Sequence, residues 1–360
     1  MHRIKFYILI GYSTLHTFLI SQDITKVYYN ALIRYEYGYF DEAYNQLQKL
    51  YNQGIRNHTI TSTLMLHSLR IGDWQAAKQY ELKPYWWYDQ DLTGRTILLT
   101  HDGGAGDAIM FIRYAKHLHA AGAQVIVQTP MALIPLFSTC PFISKCIPVP
   151  HMVPADYIYR ISTPDLTLTM HSTFPESSKD IPYLFADPNL IAYWADRIKY
   201  DSKPRIGLCW TSSYVYNRQT GQQVQNPRSI TSEVIASFIS NISGNFYALV
   251  KGNEAQKMKS LQMPMHIFDN LDTVHGAFMD TAALMCNLDL VITVDTSIAH
   301  LAGALGIPVW VLLPAHSDFR WFMHRADSPW YPTMRLFRQK VGEDWQPVLQ
   351  EVCKALQYLF

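Results

Sequence analysis

Cysteine is scarce in this sequence, and the five present (Cys140, Cys146, Cys209, Cys286 and Cys353) are odd in number and scattered. No CxxC pair occurs, so neither a zinc site nor a disulfide framework is expected; free thiols in a reducing compartment fit the pattern. An excess of one charge sign is missing too. Lys and Arg total 30 against 29 Asp and Glu, a net charge of +1. That balance excludes the broad basic surface that a nucleic-acid partner needs, while leaving room for a local basic pocket. Charged residues make up only 16% of the chain and hydrophobic ones 49%, which excludes disorder and provides for large buried cores. Long apolar runs are also lacking. The best one, residues 6–20, is broken by Tyr7, Tyr12, Ser13, Thr14, His16 and Thr17. It falls short of the ~20 apolar residues of a membrane span. It follows Arg3 and Lys5 as a weak signal peptide would, but no small-x-small cleavage site comes after it. A helix packed on the next segment is the expectation, with a signal sequence as the alternative.

What is present falls into three parts. Gly38-Tyr39-Phe40-Asp41-Glu42-Ala43 returns as Gly72-Asp73-Trp74-Gln75-Ala76-Ala77, with the glycine, the aromatic and the final alanine in register 34 residues on. That is the period of the tetratricopeptide repeat, and it predicts helices over residues 28–37, 41–52, 61–70 and 74–82. Two units are fewer than such arrays usually have, so the segment is expected to pack on the rest of the chain; a coincidental pair of helical hairpins is the alternative. From residue 96 the pattern changes. Residues 96–100 (TILLT) predict a buried strand, then come a glycine-rich turn, a helix over 108–118 and a strand over 124–128. After a proline-rich stretch, a helix over 189–200 and a linker at 201–204, a second series begins. It predicts strands at 205–210, 246–251, 266–268, 288–294 and 309–313, with helices at 230–242, 278–286 and 297–305 between them. A last helix over 346–358, capped by Asp344, closes the chain. Strands alternating with helices specify two parallel, doubly wound α/β sheets. The expected divisions are 1–90 helical, 95–200 first lobe, 204–343 second lobe and 344–360 final helix.

Open α/β sheets bind ligands at strand-to-helix turns, and two such turns carry chemistry. In Gly103-Gly104-Ala105-Gly106-Asp107 the glycines allow a ligand close to the backbone, and Asp107 suits a general base for a hydroxyl or a cap for its own helix. In Asp295-Thr296-Ser297-Ile298-Ala299-His300 the helix start and two hydroxyls suit phosphate oxygens, with His300 one turn inside. The competing account is an N-cap by Asp295 or Thr296 and a packed His300. The polar stretch 211–230 offers Arg218 and Arg228 as cations for a leaving diphosphate, and Glu254 follows a strand where a carboxylate could hold a ribose hydroxyl. For each of these side chains a solvated loop role is the alternative.

These residues resemble a known family. Gly103-Gly104-Ala105-Gly106-Asp107-Ala108-Ile109, Asp280-Thr281-Ala282-Ala283-Leu284 and the run from Leu290 to Pro308 (LVITVDTSIAHLAGALGIP) are similar to the heptosyltransferase-like glycosyltransferases, and most to tetratricopeptide proteins carrying such a domain. The resemblance covers residues 95–355. It implies a GT-B fold of two facing Rossmann-like lobes, with donor held by the second and acceptor facing the first. It implies inverting transfer from a nucleotide-diphosphate sugar to a hydroxyl of a glycan, lipid or protein, with no metal and no other cofactor. By matched position Asp107 is the base, with Gly103, Gly104 and Gly106 near the acceptor. Asp295, Thr296, Ser297 and His300 hold the diphosphate, Arg228 faces the departing phosphate, and Glu254 contacts the nucleoside. Ser297 departs from the family's usual glycine, and the aromatic, basic tail 318–338 follows the repeat-bearing relatives, so the donor identity does not carry over. ADP-heptose is one candidate. The expected location is the cytoplasm, where nucleotide sugars reside, or peripherally at the inner membrane face, and the helical repeats offer a surface for a protein partner. The rivals are a non-catalytic scaffold that keeps a vestigial nucleotide site, and an epimerase of the same two-lobed build, which normally requires additional cleft carboxylates and which Asp102, Asp107 and Glu254 do not rule out.

Overall fold

A computed structural model of the chain describes residues 22–36, 39–55, 58–80, 91–100, 103–149, 157, 159–162, 180–213, 215–216, 223–224 and 226–360. The apolar stretch at 6–20, Gly38, Asp102 and Arg218 lie outside them. Among the described residues no helix is long and apolar enough to cross a membrane. The chain divides between Leu64 and Met65 into two compact units.

The first unit holds α1 (Gln22–Glu36), α2 (Phe40–Asn52) and the first half of α3 (His58–Ile71). In α2, Ala43, Leu47 and Leu50 recur at helical spacing and are all buried, with α1 packed beside it. Asp41 and Glu42 in its first turn and Lys49 in its last suit the helix dipole.

The second unit contains the end of α3, then α4 (Trp74–Gln79) and both lobes. The first lobe runs β1 (Thr96–Thr100), α5 (Ala105–Phe111), α6 (Tyr114–Ala120), β2 (Gln124–Thr129), α7 (Ile134–Phe137), β3 (Lys145–Pro148) and β4 (Tyr159–Ser162). Its strands are all parallel, in the order β3-β2-β1-β4. After α8 (Pro188–Ala195), the second lobe runs β5 (Arg205–Cys209), a hairpin of β6 (Val215–Tyr216) and β7 (Gln223–Val224), α9 (Ser232–Ile239), β8 (Asn245–Ala248), α10 (Asn253–Ser260) and β9 (Met265–His266). It continues through α11 (Met279–Met285), β10 (Leu290–Val294), α12 (Ser297–Leu305), β11 (Val309–Leu313), β12 (Asp327–Ser328), β13 (Tyr331–Arg338) and α13 (Gln346–Leu359). Its sheet order is β12-β13-β11-β10-β5-β8-β9, with only the short β12 antiparallel. Every residue of β10 and β11 is buried, as strands covered on both faces must be.

Four differences from the sequence expectations have physical causes. The helix expected over 108–118 is two, because the chain breaks at Ile112–Arg113 and Arg113 turns into the core, donating from Nε to the Met110 carbonyl. Glu254 sits in the first turn of a helix instead of a loop. β3 ends on Pro148 at the sheet edge, where a missing N–H is tolerated. The aromatic tail supplies β13, in which Met334 and Leu336 are buried while Thr333 and Arg335 are exposed.

Topology fixes where ligands go. Following chain order, the second sheet reads third, second, first, fourth, fifth, sixth, with the antiparallel β12 added at its edge, and it reverses between β5 and β10. The first sheet reverses likewise between β1 and β4. Such reversals open a crevice beyond the carboxyl ends of the strands. The segments there are 103–107 in one lobe and 210–213 with 295–297 in the other.

Candidate active site

Those segments meet. A hollow of about 360 Å³ is bounded by Gly104, Gly106 and Asp107 of the first lobe and by Ser212, Arg228, Asp295, Thr296, Ser297, His300, Asp318 and Arg320 of the second. A second hollow of about 360 Å³ shares Ser212, Ser213, Thr296 and Ser297 with it and continues past Leu249, Lys251, Glu254 and Phe278. The two form one cleft, polar at the lobe boundary and more apolar beyond it.

The glycines of the first turn have three separate tasks. Gly103 has φ +119, and a Cβ there would lie 2.6 Å from Asp107 Oδ2. Gly104 donates its N–H to that same oxygen at 2.9 Å. Gly106 faces the other lobe: a Cβ on it would stand 3.0 Å from His300 Cδ2 and 3.5 Å from the Ser297 Cα. Asp107 therefore closes its own helix start with one oxygen, the cap role the sequence offered, and presents the other to the cleft. That second oxygen is ion-paired with Arg320.

On the opposite wall Thr296 occupies the cap position of α12 in extended conformation, and among the described residues no side chain caps the helix. The first N–H groups of a nine-residue helix are thus left to whatever enters the cleft, the arrangement that favours anions. Asp295 is instead turned to Arg228, whose Nη1 lies 3.1 Å from Oδ2. Burial raises its carboxyl above the usual range, with Arg228 opposing. Arg228 is itself aimed by Asn226, whose Oδ1 accepts from its backbone N at 3.1 Å and from its Nε at 3.2 Å.

His300 is 4% exposed, stacked on Trp321 at 5.0 Å between centroids, with Nδ1 3.0 Å from the Tyr331 hydroxyl. Burial, reinforced by Arg320, Arg113 and Arg228, holds it well below the usual imidazole range, so it is neutral at pH 7. Burial with the neighbouring Tyr183 pushes the Tyr331 phenol well above its usual value. The Tyr183 hydroxyl lies 3.4 Å from that of Tyr331, donates to the Ile109 carbonyl at 3.0 Å and accepts from Arg113 Nη2 at 3.1 Å. Among the described residues Arg113 has no carboxylate partner. It donates to Met110 and Trp330 carbonyls and lies over the rings of Tyr183 and Tyr331 at 4.6 and 4.7 Å. In the second hollow, Glu254 Oε2 accepts from the Ser232 hydroxyl at 2.9 Å, and that hydroxyl accepts from Trp210 Nε1. Phe278 borders the same space with φ +69, a left-handed conformation rare for a bulky residue.

All the residues named from the sequence thus fall on this cleft except Gly103, which stands behind Asp107, and Asp102 and Arg218, which are not described. Sequence reasoning missed Arg320 and Asp318. They follow β11, another strand of the parallel sheet, and the rule that ligands collect beyond strand ends was the available signal. Their loop is clamped from behind. Arg338 Nη2 donates to the Trp321 and Phe322 carbonyls at 3.0 and 2.9 Å, and Arg70 Nη2 donates to the Ser317 carbonyl at 3.3 Å. Burial, with Arg70 beside it, brings Arg338 down to about 10.

A two-lobed α/β protein with a cleft of this kind has the fold of the heptosyltransferase-like glycosyltransferases. A glycosyl transferase family 9 protein from Veillonella parvula matches it with a TM-score of 0.54 and 13% identity, over 76% of this chain and 99% of the other. The ADP-heptose LPS heptosyltransferase II of E. coli matches with a TM-score of 0.51 and 16% identity, over 73% of this chain and 98% of that enzyme. At these identities the likeness is one of fold. No protein-family model matches the sequence. Among curated proteins, FlbA of Caulobacter vibrioides is 24% identical over 375 residues, covering 94% of this chain. The chain spans 62% of the length of FlbA.

Proposed function

We propose that this chain is an inverting, metal-independent glycosyltransferase that moves a sugar from a nucleoside-diphosphate sugar to a hydroxyl of a glycan, lipid or protein. The observation that carries the reading is the opposition, across one cleft, of a carboxylate and an anion site: Asp107 on one wall, the uncapped start of α12 with Thr296, Ser297 and His300 on the other. The nucleoside occupies the more apolar hollow, beside Phe278 and against Glu254. Its diphosphate lies at the α12 terminus, where Arg228 supplies positive charge for the leaving group. Asp107 takes the proton of the acceptor hydroxyl as that oxygen attacks the anomeric carbon from the face opposite the diphosphate, so the configuration inverts. The helices of residues 22–80, with their 34-residue spacing, serve in this reading as a tetratricopeptide-like surface for a protein partner.

The test has two stages. Thermal unfolding against ADP, UDP, GDP, CMP and their sugars should single out one nucleotide; a ligand at a hundred times its Kd stabilises by about 2.7 kcal/mol. With that donor, Asp107→Asn should retain binding and lose turnover by ~10²–10⁴-fold, the contribution of a positioned base. A folded protein that answers to no nucleotide is a scaffold, and undiminished turnover in Asp107→Asn removes the base.

A further inference from the structure

The cleft holds its positive charge in pairs that are already satisfied. Arg228 is paired with Asp295, and Arg320 is shared between Asp107 and Asp318. In the hollow at the lobe boundary three carboxylates therefore face two guanidinium groups, Lys251 farther along being paired with Asp272, and a diphosphate that brings two or more negative charges needs a guanidinium released to it. The three pairings are not equally easy to open. The Asp295 side chain is 6% exposed, and taking Arg228 away would leave a buried carboxylate unpaired, the costliest outcome for an ion pair. Asp318 holds Arg320 twice, accepting from its backbone N at 3.1 Å and its Nη1 at 2.6 Å. Asp107 is 23% exposed, keeps the Gly104 N–H on its other oxygen, and meets only Nη2 of Arg320. The contact to Asp107 is the one that yields. With Nη1 fixed on Asp318, the guanidinium pivots about that bond, and the backbone beneath it is held because Trp330 Nε1 donates to the Arg320 carbonyl at 2.9 Å.

We infer that Arg320 is a donor-binding residue that passes from Asp107 to the diphosphate, so that the carboxylate is free to take a proton only once the donor is seated. This rests on the function proposed above and adds an order to it. Before the donor arrives, the inter-lobe ion pair occupies the oxygen an acceptor hydroxyl would use. The arriving diphosphate lifts Arg320 away, gains its charge, and uncovers Asp107. Asp318 is the positioning residue for that movement.

Binding of inorganic pyrophosphate by calorimetry tests this without knowledge of sugar or acceptor. Arg320→Gln should weaken pyrophosphate at least about tenfold, the worth of a charge-assisted hydrogen bond. Asp107→Asn should tighten it about fivefold by removing the competitor for Arg320, the upper end of what a surface pair is worth, as befits a part-buried one. In the double variant that gain should fall below about twofold. If the gain persists in full beside Arg320→Gln, Asp107 merely repels the anion and the latch is wrong. The latch also fails if Arg320→Gln changes pyrophosphate affinity by less than about twofold. Arg320→Lys, which keeps the charge with a single-point donor, covers an Arg320→Gln that does not fold; wild-type affinity in it, with no tightening by Asp107→Asn, overturns the exchange equally. A folded wild-type protein that binds neither pyrophosphate nor any nucleoside diphosphate removes the functional reading as well, whereas nucleotide binding with an inert Arg320 removes the latch alone.

Discussion

Removing one hydroxyl by Tyr331→Phe should alter both the stability of the second unit and the anion site. The wild-type protein has one phenolic proton to place between two acceptors, His300 Nδ1 at 3.0 Å and the Tyr183 oxygen at 3.4 Å. The nearer takes it, which fixes neutral His300 with its proton on Nε2, the nitrogen available to a phosphate oxygen. In the variant, Nδ1 is left buried without a partner at a cost of about 1–3 kcal/mol. That corresponds to a fall of about 2–4 °C in Tm per kcal/mol for a large domain. The second consequence is specific to this reading. Nothing then prevents the imidazole from moving its proton to Nδ1, and pyrophosphate affinity should drop roughly three- to tenfold, about the worth of one hydrogen bond. Two measurements suffice: long-range proton–nitrogen correlation of the His300 ring at pH 7, and urea unfolding beside calorimetry. A wild-type ring protonated on Nδ1, or a variant that loses stability but binds pyrophosphate as before, would refute the relay.

The remaining expectations concern the same wall of the cleft. Because the folded protein holds His300 far below the usual imidazole range, the unfolded chain binds the extra proton on acidification. Stability is therefore complete above about pH 6.5 and declines below it, with a slope of up to about 1.4 kcal/mol per pH unit from this residue. His117 and His266, lowered chiefly by burial, act in the same direction, so the diagnostic is the shallower slope between pH 7 and 5 in His300→Gln. A slope identical to wild type would show that His300 is free to protonate in place. Gly106→Ala sets two effects of similar size against each other: about 1 kcal/mol of helix propensity gained, and a Cβ placed 3.0 Å from His300 Cδ2. Unfolding should thus change by no more than about 1 kcal/mol, while pyrophosphate affinity falls because the ring and the α12 terminus are pushed back. Unimpaired binding would show that the lobes approach less closely.

Much of this was legible before any coordinates. β1 and β11 occupy the residues their apolar runs predict, and α12 ends at Gly306, whose φ of +77 explains the glycine. Asp107 and the 295–300 segment stood out because a strand-to-helix turn is a local pattern that sequence records. Arg320 did not, since its partner Asp107 is 213 residues away and its loop has no periodicity of its own. Arg113 escaped for a similar reason: an arginine among helical residues is ordinarily solvated, and only the tertiary cage of carbonyls and rings makes this one fully buried. β13 was obscured because Phe337 is buried next to Leu336, which breaks the alternation that Met334, Arg335 and Leu336 begin.

The guanidinium of Arg113 also limits how such a protein can be rebuilt. It belongs to the first lobe by sequence, yet the Trp330 carbonyl and the Tyr331 ring that shelter it come from the second. Exchanging one lobe for that of a relative, as an engineer seeking a new acceptor would attempt, strips the cation of half its shelter, a penalty of several kcal/mol for an unpaired buried charge. A workable chimaera has to carry the arginine, its two tyrosines and Trp330 together, so the natural seam for exchange runs around that cluster and not along the linker between the sheets.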